Sequence, residues 1–158
     1  MLRVGEGWDS HRLVEGIPLR IACVDVAYQR GGSGHSDGDA AAHALCDALL
    51  GAVGLGDIGS HFSPQDERWR GADSALFLAE VSRMLASAGA RLVNADLTVV
   101  VEQPRLAPYI SSMREALAQA LGCGVSAISV KAKTAEALGP VGEGEAIEAR
   151  AVVLVEVP

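Results

Sequence analysis

Two short patterns in this chain set carboxylates beside imidazoles. Asp9 and His11 stand two residues apart on a segment of strand character, so period-2 geometry turns both side chains to one face. An Asp-x-His pair on a strand is a two-point grip for a divalent metal, through a carboxylate oxygen and an imidazole nitrogen. Alone, the pair reads first as a strand end with two solvated polar residues. His43 supplies the third donor that the pair lacks, one turn after Asp39 and two turns after His35, in a stretch rich in Ala and Leu. Three protein ligands with a fourth position open is the arrangement of a catalytic zinc, not a structural one. The open position takes a substrate oxygen or water, and the metal serves as Lewis acid and template. Asp39 or Asp47 is placed to orient His43 from behind, as metal-bound imidazoles require.

Other residues read as anion or cation sites. His35 and Ser36 precede a helix, whose free N–H groups and positive dipole end attract phosphate. Ser36 followed by Asp39 is also a capping-box-like start for that helix. Asp57-Ile58-Gly59 is a polar turn, with a carboxylate and a close backbone approach available to a ligand or simply to the turn itself. In Lys131-Ala132-Lys133-Thr134-Ala135-Glu136, two cations and a hydroxyl suit phosphate oxygens, and Glu136 suits magnesium; an ordinary charged loop has the same composition. Pro104-Arg105-Leu106-Ala107-Pro108 is either a strand-to-helix turn or a rigid wall for a flat ligand.

The elements that must position these residues follow from periodicity. Strands are predicted at Leu2–Trp8, Leu19–Ala27, Leu92–Glu102, Ile128–Ala132 and Ile147–Val157. Helices are predicted at about Gly38–Val53, Asp73–Ala88 and Pro108–Leu121, with Gly89 and Gly122 as stops. Val14–Pro18, the Gly-rich Arg30–Gly34 and Gly54–Arg70 read as turns and loops, and Thr134–Gly144 as a loop or short helical turn. Helices alternate with strands, but consecutive strands also occur. The pattern fits one α+β domain over 1–158, a two-layer sandwich of one mixed sheet with helices on one face.

Composition narrows the function classes. With 158 residues, 49% apolar and 21% charged, the chain holds enough apolar material for a core. Thirteen Lys and Arg against twenty Asp and Glu give a net charge of −7, which argues against a nucleic-acid partner. Any anionic substrate must therefore be held by metals, helix N-termini or a few placed cations. Cys23, Cys46 and Cys123 are widely spaced and odd in number, reading as reduced thiols of a cytoplasmic protein. No apolar run reaches the ~18 residues of a membrane span, and the N-terminus lacks a signal-peptide pattern.

Taken in order, Asp9-Ser10-His11, His35-Ser36-Asp37-Gly38-Asp39 with His43, Gly56-Asp57-Ile58-Gly59 with Phe62, Gly71-Ala72-Asp73-Ser74, the Pro104–Pro108 turn and Lys131–Glu136 resemble the 2-C-methyl-D-erythritol 2,4-cyclodiphosphate synthases. The resemblance spans essentially the whole chain, and H-S-D-G-D-x-x-x-H with D-x-H is highly specific. It implies cyclisation of 4-diphosphocytidyl-2-C-methyl-D-erythritol 2-phosphate with release of CMP, in the non-mevalonate route to isoprenoids. The substrate's own 2-phosphate attacks the β-phosphorus, so no side chain need be a nucleophile. By resemblance Asp9, His11 and His43 are the ligands of one divalent metal per subunit, expected to be zinc. Glu136 holds a Mg2+ or Mn2+ on the substrate diphosphate. His35, Ser36 and Thr134 lie near phosphates, and Asp57 and Gly59 face the methylerythritol. Val101, Arg105, Leu106, Ala132 and Lys133 wall the cytidine. The family implies a homotrimer with active sites shared between neighbouring subunits.

Two segments depart from the family pattern. Where relatives read Gly-Phe-x-Gly-Arg-x-Glu-Gly-Ile, this chain has Gly139-Pro140-Val141-Gly142-Glu143-Gly144-Glu145-Ala146-Ile147. Those positions line an axial cavity that takes an isoprenoid diphosphate in relatives. Three copies of Glu143 would repel such an anion, so the site is expected to be absent. After Phe62, Ser63-Pro64-Gln65-Asp66 replaces Pro-Asp-x-Asp, and a substrate-facing carboxylate is either missing or supplied by Asp66. Two other readings compete: a metal-dependent phosphohydrolase of nucleotide diphosphates, and a catalytically silent metal- or isoprenoid-binding regulator.

Overall fold

Gly5, Gly7, Asp9 and His11 share one face of β1, the first strand, and the two glycines decide how close a helix can come to it. The computed structural model describes residues 1–158 throughout. In it β1 runs over Leu2–Glu15, well beyond the predicted Leu2–Trp8. A Cβ on Gly5 would stand 1.9 Å from the Ala48 carbonyl oxygen, and one on Gly7 2.0 Å from that of Ala44. Helix α1 (Ala40–Ala52) therefore lies backbone against backbone on β1, its small residues Ala44, Ala48 and Ala52 over the glycines. Farther along the same strand face the helix presents His43 to Asp9 and His11.

The predicted strand Leu19–Ala27 is instead a tight hairpin of β2 (Leu19–Ile21) and β3 (Val24–Val26). Ala22 and Cys23 both adopt left-handed backbone, φ 51° and 63°, which turns the chain back on itself. The Gly-rich segment expected as loop contributes β4 (Arg30–Gly32), paired antiparallel to the end of β1. The remaining strands are β5 (Arg91–Val100), β6 (Ile128–Lys133) and β7 (Ala146–Glu156). They complete a five-stranded sheet in the order β4-β1-β7-β5-β6, with only β5 and β6 parallel.

Beside α1, the helices are α2 (Ile58–His61), α3 (Ser74–Ser87), α4 (Ile110–Leu121) and the short α5 (Gly139–Gly142). On the central strand β7 the residues Ile147, Ala149, Ala151, Val153 and Val155 are buried under the helical layer. The alternate residues face the other way, where Val4 is 67% exposed, Trp8 46% and Val152 47%. The fold is thus the expected α+β type, a mixed sheet with helices packed over one face. No helix is long and apolar enough to cross a membrane.

Candidate metal centre and substrate cleft

Asp9 and His11 project from adjacent same-face positions of β1, and Asp9 Oδ2 lies 2.9 Å from His11 Nε2. His43 Nδ1 lies 3.1 Å from Asp9 Oδ2 and 3.2 Å from His11 Nε2. Bonds of about 2.0–2.1 Å in a tetrahedral zinc site put ligand atoms roughly 3.3 Å apart. The three edges match that spacing, so the donor set fits one small divalent ion with a corner left over.

The far nitrogens are also held. His11 Nδ1 lies 2.9 Å from the Ser33 carbonyl, which can only accept, so Nδ1 carries a proton. Nε2, which donates to Asp9 when it too is protonated, is the nitrogen that would offer its lone pair to an ion. His43 Nε2 lies 3.0 Å from Ser36 Oγ. Burial opposes the charged form of Asp9, but hydrogen bonds from His11 and His43 outweigh it and hold the carboxyl well below the usual range. Burial likewise lowers the His11 imidazole, and Asp9 more than reverses this, leaving it raised.

The partners differ from those expected for His43. Asp39 does not touch its ring: the fully buried carboxylate accepts from Ala22 N at 2.8 Å, Cys23 N at 2.7 Å, Ala42 N at 3.0 Å and Ser74 Oγ at 2.9 Å. Asp39, not Ser36, caps α1, because the left-handed Gly38 (φ 69°) turns its carboxylate onto the helix N–H groups. That carboxylate already meets the dipole end, so the N-terminus of α1 is no vacant phosphate cradle. Asp47, one turn beyond His43, accepts Ile58 N at 2.7 Å and ties α2 to α1. Ser36 takes the orienting place, with Asp37 Oδ1 at 3.8 Å from the same nitrogen.

A cleft of about 190 Å³ opens beside the triad, lined by His11, His35, Ser36, His43, Ile58, Gly59, Phe62, Pro64, Trp69 and Phe77. Of the residues expected near substrate, His35, Ser36 and Gly59 line this cleft. Asp57 is not in the lining; it caps α2, accepting from Ser60 N at 2.8 Å and Ser60 Oγ at 2.6 Å. Asp66 also turns away, its carboxylate accepting both Nε and Nη2 of Arg68 at 2.6–3.0 Å, while Pro64 faces the cleft. Sequence reasoning missed the aromatic back wall. The Phe77 ring stacks edge-on to His43 at 6.1 Å and meets Phe62 at 4.9 Å and Trp69 at 5.2 Å. Phe77 is legible only as an apolar helix position, and Trp69 carries no local signal.

The remaining predicted residues form a second cluster. Val101 and Leu106 are buried at the end of β5, while Arg105, Ala132, Lys133, Thr134 and Glu136 are exposed around the end of β6. Thr134 Oγ1 donates to Glu136 Oε1 at 2.9 Å. The register runs Asp9–Ala149–Val99–Ala132 across β1, β7, β5 and β6. Three strand spacings of about 4.8 Å put the two clusters roughly 14 Å apart within one chain. A single chain therefore does not bring Glu136 to the triad.

The chain matches the YgbB family over residues 2–156. It belongs to that family. It is 55% identical over 153 residues to the 2-C-methyl-D-erythritol 2,4-cyclodiphosphate synthase of Moorella thermoacetica, covering 97% of this chain and 94% of that one. The synthase of the same name from Geobacillus kaustophilus is 51% identical over 156 residues, with 99% of each covered. A solved 2C-methyl-D-erythritol-2,4-cyclodiphosphate synthase in a CDP-bound form superposes with a TM-score of 0.90 at 42% identity, covering 98% of this chain and all of that one. Those YgbB relatives match over nearly their whole length, so the likeness covers both clusters of this chain.

Proposed function

We propose that the chain converts 4-diphosphocytidyl-2-C-methyl-D-erythritol 2-phosphate to 2-C-methyl-D-erythritol 2,4-cyclodiphosphate, releasing CMP, by metal-templated intramolecular phosphoryl transfer in non-mevalonate isoprenoid synthesis. The observation that carries this reading is the Asp9–His11–His43 triad, its three edges at 2.9–3.2 Å, opening onto a cleft whose wall includes His35 and Ser36. Two imidazoles and one carboxylate are a donor set that suits zinc. When bound, zinc neutralises phosphate charge as a Lewis acid.

The chain's own residues then bind and align. His35 and Ser36 hold phosphate oxygens beside the triad, and Gly59 lets the methylerythritol approach the backbone. The 2-phosphate oxygen forms a bond to the β-phosphorus as the bond from that phosphorus to the CMP oxygen breaks. No side-chain nucleophile takes part, so rate comes from positioning and electrostatics. Thr134 contacts phosphate and Glu136 holds a Mg2+ or Mn2+ on the diphosphate. Val101, Arg105, Leu106, Ala132 and Lys133 flank the cytidine.

The roughly 14 Å between the clusters exceeds the reach of a diphosphate, which supports a site completed by a neighbouring subunit of a homotrimer. The uncovered sheet face with Val4, Trp8 and Val152 offers apolar area for that association. A cytoplasmic location fits the same reading.

Incubating the protein with the cytidyl substrate, zinc and magnesium tests the proposal. Cyclic diphosphate plus CMP supports it, an open-chain phosphate points to hydrolysis, and no CMP release points to a silent binder. His43→Ala should remove zinc and nearly all turnover while sedimentation still finds a folded trimer; normal zinc content defeats the ligand assignment.

A further inference from the structure

Beyond the last rung of the β5–β6 pair the backbone breaks its pattern at one place. The parallel register pairs Val99 with Ala132 and Val100 with Lys133, and Val101 N donates to Lys133 O at 3.0 Å. A continued parallel ladder would next send Ala135 N–H to the Val101 carbonyl. Instead Ala135 N donates to Glu102 Oε2 at 3.1 Å, and no group of the chain donates to the Val101 carbonyl. Just past that bond, Glu136 and Ala137 are consecutive non-glycine residues in left-handed backbone, φ 52° and 60°. Such residues are costly and persist only where neighbours hold them. The bonds available to do so are few: Ala135 N to Glu102 Oε2, Thr134 Oγ1 to Glu136 Oε1, Glu136 N to Thr134 Oγ1 at 3.4 Å, and Leu138 N to Ala135 O at 2.9 Å.

We propose that Glu102, half-buried between the two segments, is a positioning residue for the nucleotide end of the site. Its carboxylate replaces the missing ladder rung. It bends residues 134–137 into the strained turn that presents Thr134 and Glu136, and it leaves the Val101 carbonyl free as an acceptor. The inference rests on the reading that residues 101–106 and 132–136 hold a nucleotide. Glu102 itself touches no reacting atom.

The experiment measures CDP affinity with magnesium for the zinc-loaded protein and for Glu102→Ala and Glu102→Gln, beside zinc content and melting temperature. The alanine variant should bind CDP about tenfold more weakly, as loss of one hydrogen bond to a charged acceptor implies. Zinc content should not change. The glutamine variant keeps an acceptor for Ala135 N–H and should bind within about twofold of the parent. An alanine variant that binds CDP as tightly as the parent overturns the role of Glu102 alone. A glutamine variant as weak as a folded alanine variant also overturns it, since charge rather than the bond to Ala135 would then act. Parent protein that holds zinc but does not bind CDP overturns the nucleotide reading and this inference with it. Should the alanine variant not fold, hydrogen exchange of the parent decides: a protected Ala135 amide supports the bond, and free exchange removes it.

Discussion

Replacing Asp39 with Asn changes one atom at the junction of three elements. The carboxylate is fully buried and its four donors come from the β2–β3 turn, α1 and α3. An Asn oxygen in place of Oδ1 still accepts from Ala22 N and Ala42 N. The amide NH2 in place of Oδ2 then faces Cys23 N–H donor to donor, while the Ser74 hydroxyl can reverse and accept. A buried N–H left without an acceptor costs about 1–3 kcal/mol. The remaining bonds lose their ionic strengthening, of order 0.5–1 kcal/mol each. Relief from burying a charge offsets part of this, leaving a net loss of about 3 kcal/mol. Domains have only about 5–15 kcal/mol in all. Urea unfolding of the zinc-loaded protein at one fixed concentration should show it. With a slope of about 2 kcal/mol/M, the midpoint falls by about 1.5 M. A midpoint within about 0.3 M of the parent refutes the four-donor account. Selective loss of zinc with stability intact would restore the view that Asp39 orients the His43 ring.

Ser36→Ala removes the partner of His43 Nε2 and should weaken zinc binding about 10- to 100-fold in chelator competition; unchanged affinity refutes the orienting role. Burial, aided by the Asp39 charge, pushes the Cys23 thiol up to about 12. A raised value keeps the thiol protonated below it, so roughly one molecule in 10⁴ is thiolate at pH 8. Peptide mass spectra should therefore show almost no iodoacetamide labelling of Cys23 until urea is added, and rapid labelling of folded protein contradicts this. Glu143 is exposed beside α5; titration with geranyl diphosphate should give no saturable binding, and saturation in an axial cavity would count against the repulsion argument.

The triad was legible because its signals are local. Period-2 geometry alone puts Asp9 and His11 on one face, and a helix rich in Ala and Leu makes His43 conspicuous. Most elements were legible for the same reason, through periodicity and glycine stops. The left-handed Ala22 and Cys23 were not, since neither residue type announces positive φ, and so one predicted strand became a hairpin. Carboxylate assignments fared worst. Asp39, Asp47, Asp57 and Asp66 all look like ligand or orienting groups in the sequence, yet each accepts backbone N–H groups of a nearby turn or helix.

By itself the sequence determined the ligand types, the alternating strands and helices, and the family pattern, because spacing along a chain dictates which side chains share a face. Only the tertiary structure decided who partners whom. The Gly5 and Gly7 contacts that bring α1 onto β1, the capture of Asp39 by four donors, and the aromatic wall of Phe62, Trp69 and Phe77 join residues distant in the chain. Such contacts depend on close packing and on satisfying every buried polar group at once, conditions that act across the whole fold and leave no mark at any one position.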